Sequence, residues 1–397
     1  MTIAEPVLVE QSAPPTIAAE RPIVSRIAFL DGIRALAAAW VVLSHTWILQ
    51  FGMLAHTGLL GDLTNWLIYS HFAVDVFIVL SGFCLILPVL KNNGRLNAID
   101  FYLRRARRIL PPYYAALALG VAVKLFEANG ARSFFAEHFQ ALVSNIVLVQ
   151  DARIQDDIFN GPLWSVATEW RIYFLLPLIV FLLNRFGRSA VLAATFAIGA
   201  IATAAVLKFD VGMLQSCLWY VFLFGMGVCA GSATYGKSGS LRVARGPLIA
   251  IGAAAAVALA LGLHVYPVTA NEGSTFGLHM PLLDCFVGVL ACVGLVALGR
   301  ARANSRIVGF LASPVLRNTG LISYSIYLTH LPVLILINDA VVRNPNVFSG
   351  SRSIHEAILM AVGFPVVMLC AYAFYLTIER PFAIRKPTTA RQSLAHG

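Results

Sequence analysis

Ten long apolar blocks recur along this chain, near residues 28–50, 70–90, 111–127, 162–184, 189–207, 213–232, 247–266, 281–299, 319–338 and 356–378. Each is about 18 to 24 residues, the length a helix needs to cross a hydrocarbon core about 30 Å thick, and the third is the shortest. In lipid a segment must satisfy its own backbone N–H and C=O groups, so blocks of this length form helices. Composition agrees: 59% of the 397 residues are hydrophobic and only 12% are charged, against about 25% charged in a soluble domain. The expected fold is an all-α integral membrane protein, a bundle of about ten transmembrane helices.

The net charge of +10 raises the question of a nucleic-acid partner, which the placement of the charges answers. Of the 29 Lys and Arg residues, 21 lie in the two terminal tails and the loops on one side, 5 lie in the opposite loops and 3 fall within spans. That is the positive-inside pattern, so the 21 mark the cytoplasmic side and both termini are expected there, in a multi-pass protein of the cell inner (plasma) membrane. No aromatic–basic interleaving or nucleic-acid motif competes, and no nucleic-acid partner is expected. Residues 1–26 contain Pro14, Pro15, Glu5, Glu10 and Glu20 and no apolar core of signal-peptide length. They read as a flexible cytoplasmic tail, followed by one membrane domain over 27–384 and a cytoplasmic tail over 385–397. All six cysteines fall within the apolar blocks without CxxC spacing, as small apolar filler with no metal site expected.

Ionisable groups inside a bilayer are expensive and mark function more often than elsewhere. The first block reads LDGIRALAAAWVVLSH, with Arg34 and His45 eleven residues apart. Eleven residues are close to three helical turns, so the two share one face about 16 Å apart along the axis. Arg34 falls near the cytoplasmic end and His45 in the outer half. Asp75 in the second block and Glu169 in the fourth lie at about the same depth as His45, and His330 in the ninth lies somewhat deeper. A histidine beside a carboxylate is what general-base catalysis uses, because the acid fixes the tautomer and stabilises the imidazolium. The competing bland reading makes Arg34 a snorkelling residue and Asp75 and Glu169 interhelical hydrogen-bonding acids. Asp284 starts its span near the interface and reads as structural, and Arg171 is expected to pair with an acid other than Glu169.

The longest inner loop, 91–110, ends in FYLRRARRILPPYY, where Arg105 and Arg108 stand one helical turn apart. Pro111 and Pro112 suit the start of the third helix, where a missing N–H costs little. Two guanidiniums facing one way bind phosphate oxygens in pairs, though a basic patch against anionic lipid has the same look. Phosphate binding at the inner face, an Arg–His stripe through the membrane and a base near the outer face suit a donor that is phosphorylated at one end and reactive at the other. Acyl-CoA, with acetyl-CoA foremost, has that form; it is a donor substrate, and no tightly bound cofactor is expected.

FLDGIRALAAAWVVLSH, HFAVDVFIVLSGF, FYLRRARRILPPYY, GPLWSVATEWRIYFLLP, ISYSIYLTHLP and Glu379-Arg380-Pro381 together resemble, in order and across the whole membrane domain, the membrane-bound acyltransferase family 3. The family moves acyl groups, commonly acetyl from acetyl-CoA, onto hydroxyls of carbohydrates, lipids or macrolides. The resemblance implies that His45 is catalytic, that Arg34, Arg105 and Arg108 serve the donor, and that Glu169 and His330 belong to the site. Ile33 and Ala35 depart from the usual Leu and Gly, at unreactive packing positions. Some relatives carry a soluble periplasmic domain after the membrane part, so acceptor handling here is expected from the membrane core or from partners.

The expected function is O-acyl transfer to a carbohydrate, glycolipid or small-molecule hydroxyl acceptor, with His45 either deprotonating the acceptor for direct attack, the simpler route, or being acylated itself. A proton-coupled carrier without acyl chemistry is the rival, since ten spans with buried carboxylates suit one too, but the two halves of the chain show no clear internal repeat. Trp47, Trp66 and Trp164 are candidates for stacking on a sugar, though interface anchoring explains such residues more often.

Overall fold

The computed structural model describes residues 27–53, 61, 63–128, 131–152, 158–209, 217–236, 245–265, 279–302, 304–342 and 351–383. The two expected tails, 1–26 and 385–397, lie outside them. Every regular element among the described residues is helical: α1 Phe29–Phe51, α2 His71–Lys91, α3 Ala98–Glu127, α4 Ala131–Ile146, α5 Leu163–Tyr173, α6 Leu176–Phe186, α7 Arg188–Phe209, α8 Tyr220–Tyr235, α9 Arg245–Val265, α10 Met280–Gly299, α11 Arg306–Leu311, α12 Pro314–Leu321, α13 Ser323–Val342 and α14 Arg352–Ala383, besides short 3-10 turns. Eight of these are long and apolar enough to cross a membrane. The α5–α6 pair passes the same test as one element bent by 48°, and α8 is apolar but shorter. The all-α membrane bundle is therefore as expected.

Three local features differ from the sequence reading. The basic stretch before Pro111 is not a loop: α3 runs unbroken from Ala98, capped by the Asn97 side chain, which accepts a hydrogen bond from the Asp100 backbone N–H at 3.2 Å. Pro111 and Pro112 thus sit in mid-helix. The carbonyls they leave without partners belong to Arg107 and Arg108, both exposed residues, so solvent can satisfy them and the helix continues. The fourth span breaks after Tyr173 because Pro177, in the first turn of α6, lacks an N–H and its ring excludes the carbonyl four residues back. The segment between the third and fourth apolar blocks, which the span assignment leaves between helices, contains a further helix, α4.

Lipid tails are as apolar as leucine, so helices associate through close packing. α8 lies most extensively against α2, and glycines set the spacing. A Cβ on Gly82 would stand 2.2 Å from the Phe224 carbonyl oxygen, and one on Gly227 would stand 2.1 Å from that of Val79. Around this pair the main apolar core gathers Phe83, Tyr113, Leu163 and Phe224, all fully buried. A second core joins α1, α13 and α14 through Val42, Ile326, Leu334 and Val367. Large apolar side chains on the outer surface, such as Phe126, Ile201, Ile249 and Leu369, are exposed where lipid contact is expected.

Candidate active site

A cavity of about 180 Å³ opens where α1, α2, α3, α5 and α13 converge, and it is lined by Arg34, Arg105, Arg108, Glu169, Tyr173 and Tyr327 among others. The three arginines that sequence spacing singled out on two separate helices thus share one chamber. Arg34 is fixed by Asp31 on its own helix, with Nη1 2.5 Å from Oδ1, and by a 3.0 Å contact from Nη2 to Cys84 Sγ. Arg105 lies against the rings of Phe101 and Tyr173, 5.9 and 6.0 Å from the centroids, and the Glu169 carboxylate attracts it electrostatically. The Tyr173 hydroxyl donates to Glu169 one turn earlier, and Ser81 Oγ lies 2.8 Å from the same hydroxyl. Glu379, from the late Glu-Arg-Pro, accepts from Ser325 Oγ at 2.6 Å and acts electrostatically on Arg108.

His45 and His330 form a separate pair, with ring centroids 4.9 Å apart and ring planes at 67°. His45 Nδ1 lies 2.8 Å from the Val41 carbonyl oxygen, and His330 Nδ1 lies 2.8 Å from that of Tyr327. A carbonyl oxygen only accepts, so each Nδ1 carries the proton and each Nε2 keeps its lone pair. The two Nε2 atoms are therefore both bases, and His330 Nε2 is buried without a hydrogen-bond partner. Tyr327 connects the pair to the arginine cavity: it lines the cavity, its ring is 5.8 Å from His330, and its hydroxyl is 2.7 Å from Ser165 Oγ.

Two expected companions of His45 are elsewhere. Asp75 does not join the histidines; its neighbours are Asp284 and Tyr220. Glu169 lies among the arginines instead of beside His45. Among the described residues, the contacts of the two imidazoles are to backbone carbonyls and to rings, and no carboxylate orients either one. Equal depth in the membrane fixes a residue's height but not the direction it faces around its helix. On α2 the cavity is lined by Val74, Phe77, Ile78 and Ser81 among others, and Asp75 is not one of its lining residues. Asp284, read as an interface residue, is fully buried, and with His71 and Asp75 it forms a cluster whose side-chain donor atoms could hold a metal ion.

Arg171 does pair with another acid. Its guanidinium contacts both oxygens of the buried Asp151, which also accepts from Thr168 Oγ1 at 3.1 Å. The ion pair fastens the segment before α5 over the helix that carries Glu169. Of the tryptophans, Trp47 is buried against Phe51, whereas Trp66 is about half exposed. Sequence reasoning missed Ser165, Tyr173 and Tyr327, although all three stand in the quoted blocks GPLWSVATEWRIYFLLP and ISYSIYLTHLP.

The family model described as "Acyltransferase domain" (Acyl_transf_3) matches residues 27–376. The peptidoglycan O-acetyltransferase OatA of Listeria monocytogenes is 23% identical over 368 residues, 84% of this chain and 53% of that protein. YrhL of Bacillus subtilis is 30% identical over 162 residues, 38% of this chain and 23% of its own length. The O-acetyltransferase OatA of Staphylococcus aureus is 25% identical over 186 residues, 43% of this chain and 28% of that protein. The chain spans about half the length, or less, of these relatives, and no solved structure matches it. With the family model covering nearly all of the helical domain, the chain belongs to the membrane-bound acyltransferase family 3.

Proposed function

We propose that this protein is a membrane O-acyltransferase that moves an acyl group, acetyl in the first instance, from a phosphate-bearing thioester such as acetyl-CoA to a carbohydrate hydroxyl. One observation carries the reading: three arginines line a cavity whose wall residue, Tyr327, also packs against a pair of histidines with basic Nε2 atoms. At about 180 Å³ the cavity is smaller than the roughly 300–1,000 Å³ of a pocket that encloses a drug-sized ligand. It therefore receives one end of a donor. Guanidiniums hold phosphate oxygens through paired, charge-assisted hydrogen bonds, so Arg34, Arg105 and Arg108 are the donor-binding group. The names of the relatives point to a glycan acceptor.

In the direct route, His45 Nε2 takes the acceptor hydroxyl proton as that oxygen attacks the thioester carbonyl. The tetrahedral intermediate expels the thiolate, which receives the proton from the imidazolium, so one ester and one thiol form. His330, whose ring centroid is 4.9 Å away, packs against the His45 ring and holds it in position. Acylation of His45 itself is the two-step alternative. The positive-inside charge distribution supports a plasma-membrane protein with the arginine end and both termini toward the cytoplasm.

The test uses the purified chain in lipid nanodiscs, with thiol release from acetyl-CoA measured as a chitooligosaccharide or muropeptide acceptor is added, and product mass checked in parallel. The expected result is acceptor-dependent thiol release with a matching 42 Da gain per acetyl, about the mass of C2H2O, which His45→Ala abolishes. Acylated product with no thiol release, in membranes supplied with other acyl donors, would discard the CoA donor. Near wild-type turnover by inserted His45→Ala protein would discard the catalytic histidine.

A further inference from the structure

A second polar cluster lies away from the arginine cavity, where α2 and α10 meet beside the start of α8. His71 opens α2, Asp75 follows one turn later on the same face, and Asp284 projects from the first turns of α10. The side-chain donor atoms of the three lie within 4.8 Å of one another. Their exposures are 8%, 0% and 0%. His71 Nε2 is 3.0 Å from Asp284 Oδ1, and the other oxygen, Oδ2, accepts from Trp219 Nε1–H at 2.8 Å. Both Asp75 oxygens are buried without a hydrogen-bond partner, and the groups acting on this carboxyl are Asp284 and the hydroxyl of Tyr220.

Two carboxyl groups withdrawn from water and facing each other need a positive charge or a proton between them. We propose that His71, Asp75 and Asp284 bind a divalent first-row transition cation, manganese, iron or zinc. One imidazole and two carboxylates are the donor set such ions accept, whereas calcium and magnesium favour oxygen alone. The spacing suits the ion: donors in adjacent positions around a cation bonded at about 2.1 Å stand about 3.0–3.4 Å apart. The His71–Asp284 separation already meets that, and the two Asp75 oxygens are buried beside it. Trp219 holds Asp284 from behind, the role outer hydrogen bonds play around metal-ligating carboxylates. Binding ties α2, which carries His71 and Asp75, to α10, which carries Asp284. The proposal stands independently of the acyl-transfer reading, because none of the three residues lines the arginine cavity.

The test is metal content. The chain, freed of any affinity tag and held in lipid nanodiscs, is incubated separately with Mn2+, Fe2+ and Zn2+, passed through gel filtration and analysed by inductively coupled plasma mass spectrometry. About one equivalent of one ion is expected in the wild type, falling at least about tenfold in Asp75→Asn and in Asp284→Asn. Co2+ loaded into the wild type gives a visible d–d band that is absent from His71→Gln. The wild-type measurements stand even where a variant does not fold. Less than about 0.1 equivalent of every ion in the wild type, with no cobalt band, overturns the proposal and leaves the carboxyl pair sharing a proton. Equal content in well-folded Asp75→Asn and Asp284→Asn overturns it as well, since the ion would then lie elsewhere.

Discussion

His45 and His330 stand with ring centroids 4.9 Å apart at 67°, each turning its Nδ1 to a backbone carbonyl of its own helix. Two helices distant in sequence thereby present two imidazoles in the same tautomer. Under the proposed mechanism His45→Ala lowers acyl transfer by about 10²–10⁴, the usual range for a general base. His330→Ala lowers it less, by about tenfold, because the base remains and only its neighbour is lost. Product formed per inserted protein, with insertion checked by detergent gel filtration, measures both.

The Arg105 guanidinium carbon lies 5.9 and 6.0 Å from the ring centroids of Phe101 and Tyr173. A lysine there keeps the charge but neither stacks nor offers two parallel N–H groups. Arg105→Lys is expected to raise the donor KM about tenfold or more, with a smaller change in kcat. A loss confined to kcat would place Arg105 in the chemistry and not in donor binding.

Tyr327 and Ser165 share a hydrogen bond of 2.7 Å in the wall between cavity and histidines. Tyr327→Phe removes that bond and keeps the ring, at a cost of about 1 kcal/mol, and transfer is expected to stay within about fivefold of wild type. Tyr327→Ala also removes the ring beside His330 and is expected to reduce transfer further. Steady-state rates of the two variants side by side separate the hydrogen bond from the ring.

At Gly227 α8 approaches α2 closely, with its potential Cβ 2.1 Å from the Val79 carbonyl oxygen. Backbone cannot yield as a flexible side chain does, so Gly227→Ala separates the helices and costs about 1–3 kcal/mol or more. The thermal unfolding midpoint in detergent is expected to drop by several degrees. Gly246→Ala, where nothing lies within 4 Å, serves as the neutral control.

Asp151 is almost fully buried and is neutralised by Arg171. Removing one partner of a buried pair leaves the other charge unmet, at a cost of about 3–5 kcal/mol at full burial and less here, because Arg171 is about a third exposed. Arg171→Met is therefore expected to lower the unfolding midpoint more than Arg171→Lys, which keeps a charge beside Asp151. Equal midpoints for the two variants would show that the charge contributes nothing.

Sequence alone determined the bundle, because only a helix closes its own hydrogen bonds in lipid and the apolar blocks have the length to span it. It also identified the Arg34–His45 stripe and the Arg105–Arg108 pair, since both follow from the 3.6-residue period within one helix. Periodicity is silent on how helices are turned toward one another. Packing decided that: the glycine contacts between α2 and α8 direct one face of α2 to the arginine cavity and leave Asp75 to Asp284. The same packing moved Glu169 to the arginine cavity and, among the described residues, left the histidines without an orienting carboxylate. Depth and period are properties of a single helix, whereas the partner of a side chain belongs to the arrangement of several, and there only the tertiary structure decides.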